Sequence, residues 1–416
     1  MPWILRVQVS GFAWLVLLLP SVGVTASDGT NPLLVLPPAA ATCDVAVDLP
    51  ESFQQDSSGD WRIVPVGAAE QSLPVQRSAS VAEDGSAAGQ SRLIARIAGN
   101  EAGDVPRKFR LVAGGASVEP KKPCFQFKQQ SDASLALFDG DQPVMVYNHG
   151  EITCDAVPQS DSRRVRACYV HPVWGLDGEV LSDDFPKDHY HHHGIFWAWP
   201  HVGIDGQEHD LWTYRTIQQR FVGWIYRQTG PQAAVLAVEN GWFVGDEKVM
   251  VERVWMRCHR VDNDHRAIDF EFVWIPVEKP ITLWGADDKS YGGLNLRFAP
   301  REDTRITVPA GQSEADLPDT PLEWADLTAN FAGAPQPSGA AIFVDPAHPD
   351  YPPTWLTRHY GVLCVGWPGV HPRTFEPGKP IRLNYRVWIH RGAIEAPAIG
   401  RAYEAYKAAM AAKWQP

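Results

Sequence analysis

The two runs Arg253-Val254-Trp255-Met256-Arg257-Cys258-His259-Arg260 and Ile268-Asp269-Phe270-Glu271-Phe272-Val273-Trp274 alternate polar and apolar side chains on either side of Asp262-Asn263-Asp264. A period of two around a turn of this composition predicts an antiparallel hairpin with its polar side chains on one face. Strand-like stretches recur from 124 to 392: Val144–Tyr147, Gly194–Trp199, Gln218–Gln228, Ala234–Val238, Leu294–Phe298, Ala340–Val344, Gly361–Gly366 and Ile381–Ile389. They predict a mostly β chain built on a large two-sheet antiparallel β-sandwich. No period of 20–50 residues recurs, which sets aside a solenoid or propeller. Helical spacing is confined to the Ala, Tyr, Lys and Glu-rich tail Ala396–Trp414, so one C-terminal helix is expected there.

The rest of the chain divides around this unit. Residues 1–26 carry Arg6, an apolar run Phe12–Leu19 and small residues before Ala26, the pattern of a signal peptide, so the chain is expected to be periplasmic or secreted. Its apolar run is too short for a helix spanning a bilayer of ~30 Å, and no membrane insertion is expected after cleavage. Residues 27–42 read as a flexible linker. Short alternating segments such as Trp61–Val66, Ser91–Ile97 and Lys108–Val112 make 43–118 a small β-rich domain, and Glu119-Pro120-Lys121-Lys122-Pro123 marks the boundary before the second unit, 124–416.

Composition narrows the function. A net charge of −12 argues against a nucleic-acid partner, whose phosphates need a basic surface. Six cysteines without C-x-x-C spacing allow disulfides in an oxidising compartment but mark no zinc or redox motif. No G-x-S-x-G elbow, P-loop or G-x-G-x-x-G is present, so serine hydrolase, nucleotidase and dinucleotide-enzyme readings lose support. The 17 Trp, 11 Tyr and 16 Phe suit core packing and also platforms on which sugar rings stack.

Polar function is densest between Tyr169 and Asp210, around Asp188-His189-Tyr190-His191-His192-His193-Gly194. On a strand, His189, His191 and His193 would face one way and His192 the other; on a loop all four can converge differently, and spacing leaves both arrangements open. Imidazoles this close can exchange protons near neutral pH or ligate a metal, and a carboxylate behind one fixes its tautomer. Asp183, Asp184 and His171 lie close enough in sequence to do this. Trp212, Asp287, Asp288, Arg297, Trp355, Arg358, His359 and Tyr360 are spread too widely for a local motif and matter only where the fold collects them. Arg358 offers a planar fork for a carboxylate or sulfate, and Tyr360 a phenol beside it.

The ordered set Tyr169-Val170-His171-Pro172, Gly178-Glu179-Val180, Asp184-Phe185-Pro186, Asp188 to Trp199, Asp345-Pro346, Pro353-Thr354-Trp355 and Arg358-His359-Tyr360-Gly361 resembles the bacterial domain family labelled "PmoA family", or methane oxygenase PmoA, over roughly residues 140–392. The true methane monooxygenase subunit of that name is an integral membrane protein, so the oxygenase label transfers no chemistry. The resemblance implies a β-rich domain similar to the galactose-mutarotase-like supersandwich, found in bacteria that degrade complex polysaccharides. It points to His171, Asp184, Asp188, His189, His191, His192, Trp355, Arg358 and Tyr360, with His193 at a variable position and His348 where asparagine is expected.

The expected function is a carbohydrate-active enzyme, an epimerase, lyase or hydrolase. His189, His191, His192, Arg358 and Tyr360 are its catalytic candidates; His171, Asp184, Asp188, Trp197 and Trp355 are its substrate-binding candidates. The expected partner is a carbohydrate substrate. No cofactor is expected, though a divalent metal at the histidines stays open, as does the oligomeric state. The alternatives are a noncatalytic glycan-binding protein and a metal-dependent oxidoreductase built on the histidines.

Overall fold

The computed structural model describes residues 32–54, 61–67, 71–100, 105–113 and 124–416. The expected signal peptide and the 119–123 boundary lie outside them. The chain is mostly β, with two nine-stranded antiparallel sheets at its centre. Across the first run Leu317–Pro321, Thr354–Arg358, Val362–Gly366, Gly293–Arg297, Ile195–Ala198, Tyr169–Val173, Gln142–Asn148, Ser134–Asp139 and Phe125–Ser131. Across the second run Gln218–Thr229, Ala233–Val244, Glu247–His259, His265–Pro276, Ile381–Arg391, Ser338–Val344, Trp324–Phe331, Arg301–Val308 and Gly311–Ser313. The hairpin expected at Asp262-Asn263-Asp264 forms, with Met256 opposite Phe270, and Asn263 takes the left-handed conformation at φ 51° that asparagine tolerates in a turn.

One apolar core fills the space between the sheets, where the Trp197 ring meets Phe272 edge-on at 4.9 Å. A buried carboxylate is built into it. Glu252 accepts hydrogen bonds from Gln219, Asn240, Trp242 and Trp274 at 2.8–3.1 Å, and Tyr147, on the first sheet, donates to Asn240 at 3.1 Å. A polar group this deep is tolerated because donors satisfy both of its oxygens.

The polar face of the hairpin is not solvated. The small unit and the C-terminal helix Ala396–Met410 cover it. Trp255 donates from Nε1 to the Gly85 carbonyl at 2.8 Å, and ion pairs line the junction: Arg386 and His259 to Asp269 at 2.6 and 2.8 Å and Arg382 to Glu271 at 2.7 Å on the sandwich side, Arg96 to Asp44 at 2.7 Å on the small unit, with Arg92 to Glu271 at 3.2 Å and Arg386 to the Asp44 carbonyl at 3.2 Å crossing it. The helix buries Tyr403, Tyr406 and Ile399 against Phe343 and Trp388, and Ala405, Ala408 and Ala409 against the core of the small unit.

Two expectations change here. The helix stops at Met410, and Lys413–Gln415 form a strand; Leu33–Leu36, read as part of a linker, form another, and the two pair antiparallel at the edge of the small unit's seven-stranded sheet. The burial of Leu34 and Leu36 and the contact of the Trp414 ring with Phe53 hold them there. All six cysteines are free thiols. Among the described residues, no helix is long and apolar enough to cross a membrane.

Candidate active site

The histidine run is a loop, not a strand. Asp184 and His193 pair as an isolated bridge, Phe185 N–H donates to the His192 carbonyl at 3.1 Å, and His189 N–H to Pro186 and His192 N–H to His189 close tight turns at 2.9 Å. Gly194, at φ 28°, lets the loop rejoin its strand; a Cβ there would lie 2.0 Å from the Val170 carbonyl oxygen.

This closure separates the four imidazoles. His189, His191 and His192 line a cleft of about 430 Å³ together with Trp212, Lys289, Tyr291, Asn295, Asp316, Arg358 and Tyr360. The rings of His189, His192 and Tyr360 lie nearly parallel, with centroids 4.6, 5.0 and 6.4 Å apart, and His191 meets His189 and His192 edge-on. His193 turns the other way, buried against Tyr169, Phe185 and Phe196.

A chain of charged contacts fixes His189. Arg297 donates from Nη2 to both oxygens of Asp188 at 3.0 Å, and Asp188 lies 2.9 Å from His189 Nδ1. Although desolvation opposes it, hydrogen bonding from His189 and the Arg297 charge lower the Asp188 pKa, so the carboxylate stays ionised and orients the imidazole through Nδ1. The Arg297 guanidinium also sits 5.0 Å from the Tyr360 ring. On the far wall Arg358 binds Asp316 at 3.2 Å, and Asp316 also accepts from the His359 backbone N–H at 2.8 Å.

Burial pushes the His191 imidazolium pKa down to about 3, and that of His192 well below its ordinary value, with nearby positive groups adding to the effect. Both are therefore neutral at physiological pH, and Nδ1 of each is buried without a hydrogen-bond partner among the described residues, as is Oδ1 of Asn295. Such atoms cost free energy unless something binds them.

Period-two geometry decides which candidates reach the cleft. Asn295, Arg297, Leu356, Arg358, Val362 and Cys364 share one face of the first sheet with Phe196; Trp197 and Trp355 sit one residue out of phase and point into the core between the sheets. Both are fully buried, and Trp355 donates to the Leu322 carbonyl at 2.8 Å, so neither can stack on a substrate. His171 and Asp184 lie behind the loop: His171 Nδ1 is 2.9 Å from Ser182 Oγ, and Asp184 accepts from Tyr169 at 2.8 Å and contacts His193 Nδ1 at 2.7 Å. They anchor the loop and do not line the cleft. His348 sits near Tyr385 and Trp367 and accepts from the Asp350 N–H at 3.1 Å.

The fold collects Trp212, Arg297, Arg358, His359 and Tyr360 as the sequence allowed. Lys289, Tyr291, Asn295 and Asp316 carried no local signal, except that Asn295 is a polar residue amid the apolar Leu294 and Leu296. Among the described residues, no three His, Cys, Asp or Glu side chains are placed to hold a metal ion.

A family model matches residues 134–404, nearly the whole of the large sandwich and every residue lining the cleft. The chain belongs to DUF6807, a family of unknown function. The DUF6807 span leaves out the described residues of the small unit and the first strand of the sandwich, Phe125–Ser131. No curated protein matches the chain.

Proposed function

We propose that this protein is an exported carbohydrate-active enzyme that moves protons at a sugar or oligosaccharide held in the His189 cleft. The observation that carries this reading is the Asp188–His189 pair, held by Arg297, at the wall of a cleft that also presents the rings of Trp212, Tyr291 and Tyr360. His189 takes a proton at Nε2 while Asp188 stabilises the imidazolium that forms. His191 and His192, neutral, line the same cleft and offer their imidazoles to sugar hydroxyls, and the aromatic rings meet the apolar faces of the sugar. Tyr360 supplies a phenolic proton and Arg358 opposes developing negative charge. Epimerisation, β-elimination and hydrolysis all draw on this equipment. The resemblance to the PmoA-labelled, mutarotase-like domains supports the same class.

Incubation of the exported chain with neutral, uronic and sulfated oligosaccharides, followed by mass spectrometry, tests it. The expected result is a product that His189→Ala does not form, its mass separating hydrolysis from elimination and isomerisation. The aromatic rings of Trp212, Tyr291 and Tyr360 in the cleft also favour a second reading, a glycan-binding module. Binding without any product, weakened in His191→Ala, establishes that reading in place of the enzyme.

A further inference from the structure

We propose that the ligand of this cleft carries a carboxylate, as a uronic acid does, bound between Lys289 and Arg358. The proposal rests on the carbohydrate reading and names its substrate class.

The chain as a whole carries −12, yet the charged side chains lining the cleft are Lys289, Arg358 and a single acid, Asp316. Asp316 is already engaged, accepting from the Arg358 guanidinium and from the backbone of His359. Arg358 spends only Nη1 on it, at 3.2 Å, and the rest of its fork has no protein partner among the described residues. Lys289 is exposed and forms no ion pair among the described residues. The cleft thus holds unspent positive charge on a protein whose net charge repels anions, which makes it a local sink for a negatively charged group.

Lys289 is also held in place at some cost. Its neighbours Asp288 and Ser290 both take left-handed backbone conformations, at φ 58° and 54°, which cost an L-residue on the order of 1 kcal/mol each. The Lys289 and Ser290 N–H groups donate to the Ala286 carbonyl at 3.2 and 2.9 Å, Ala286 N–H donates to Tyr291 at 3.1 Å, and Gly366 lies so close that a Cβ there would sit 2.1 Å from the Ser290 carbonyl oxygen. A loop fixed at both flanks presents the ammonium at the rim.

A carboxylate fits better than a sulfate for two reasons. The free edge of a guanidinium matches its planar pair of oxygens. A carboxylate whose charge is neutralised by Lys289 and Arg358 also acidifies the carbon-bound proton beside it, which His189, the base of the proposed reaction, would accept.

The test is calorimetric titration of the full chain with trisaccharides of galacturonate, glucuronate and mannuronate, with their carboxyl-reduced neutral counterparts, with a sulfated trisaccharide and with citrate. The expected result is that one uronic trisaccharide binds about tenfold or more tightly than its reduced counterpart. Lys289→Gln, an exposed change that leaves the fold intact, should remove most of that difference, and Arg358→Gln should act in the same direction. Equal affinity for the acid and its reduced form, or indifference to both substitutions, overturns the proposal while the carbohydrate reading stands. Preference for the sulfated sugar alone overturns the carboxylate assignment. Citrate binding that depends on Lys289, with no sugar bound, keeps the carboxylate site and removes the carbohydrate reading. No binding by any probe overturns both.

Discussion

The seam beneath the small unit and the cleft beside the histidine loop are both crowded with charged groups, but they are finished differently. In the seam Asp269 takes Arg386 and His259, Asp44 takes Arg96, and Glu271 takes Arg92 and Arg382. In the cleft the Nδ1 atoms of His191 and His192 and the Asn295 amide oxygen are left over, and Lys289 stands alone among the described residues. The seam is not free of unpaired atoms, since Arg257 Nε is buried beside Asp269 without a partner among the described residues, but each of its carboxylates meets a guanidinium, and that pairing is architecture. The unpaired groups of the cleft border a space of about 430 Å³ that a ligand can enter. The difference separates the polar residues of this chain that hold it together from those that act.

The largest expected effect comes from opening the seam. Arg386→Ala leaves Asp269 buried without its best partner and should lower stability by about 3–5 kcal/mol, read from chemical denaturation, with turnover per folded molecule retained. If denaturation is unchanged, the Arg386–Asp269 pair is not what stabilises the sandwich face beneath the small unit.

The second effect is the pH dependence of the seam and of the contacts that anchor the histidine loop behind the cleft, which runs in opposite directions. Burial raises the Asp184 pKa to about 6, above its ordinary value, so the folded state binds this proton more tightly than the unfolded chain. Its contribution is present at low pH and is lost as pH rises from about 4 to 6, roughly 3 kcal/mol at 1.36 kcal/mol per unit. Asp269, whose pKa is lowered despite desolvation by the Arg386 and His259 charges, contributes stability above the ordinary carboxylate range that is lost on acidification. Denaturation midpoints across pH 4–7 should therefore show a declining component that Asp184→Asn removes and Arg386→Ala does not.

His189→Ala comes next. It should leave the denaturation midpoint close to that of the unsubstituted protein while lowering kcat/KM at least about a hundredfold, the range of a lost general base. A parallel loss of stability would place His189 in the architecture instead. The smallest effect belongs to a polar contact in neither region: Glu208→Ala, removing the half-exposed partner of His201 at 2.8 Å, should change stability by less than about 1 kcal/mol.

The fold was legible where burial imposes a period. Runs such as Glu247–His259 and His265–Pro276 alternate because one face meets the core, and the strands were placed to within a few residues. What covers the other face was not legible: Arg253, Arg257 and Asp269 look solvated in sequence because nothing local announces the unit that packs over them. The tail misled for a related reason, since Lys413–Gln415 become a strand only by pairing with Leu33–Leu36 at the other end of the chain. In the site, the histidines were visible because they are contiguous. Trp197 and Trp355 were misjudged because the side a strand residue faces depends on register, and Lys289 and Asp316 were missed because long-range pairing alone brings them near His189.

The central claim is that Asp188 and His189 act as one unit on a bound sugar, and a double-mutant cycle on kcat/KM tests it most directly. Asp188→Asn, His189→Ala and the double variant are compared on the oligosaccharide that the unsubstituted protein converts. The account predicts that the double variant loses no more than His189→Ala alone, because a carboxylate that acts through an imidazole has nothing left to act on. Losses that simply add would show that the two residues work independently and would contradict it.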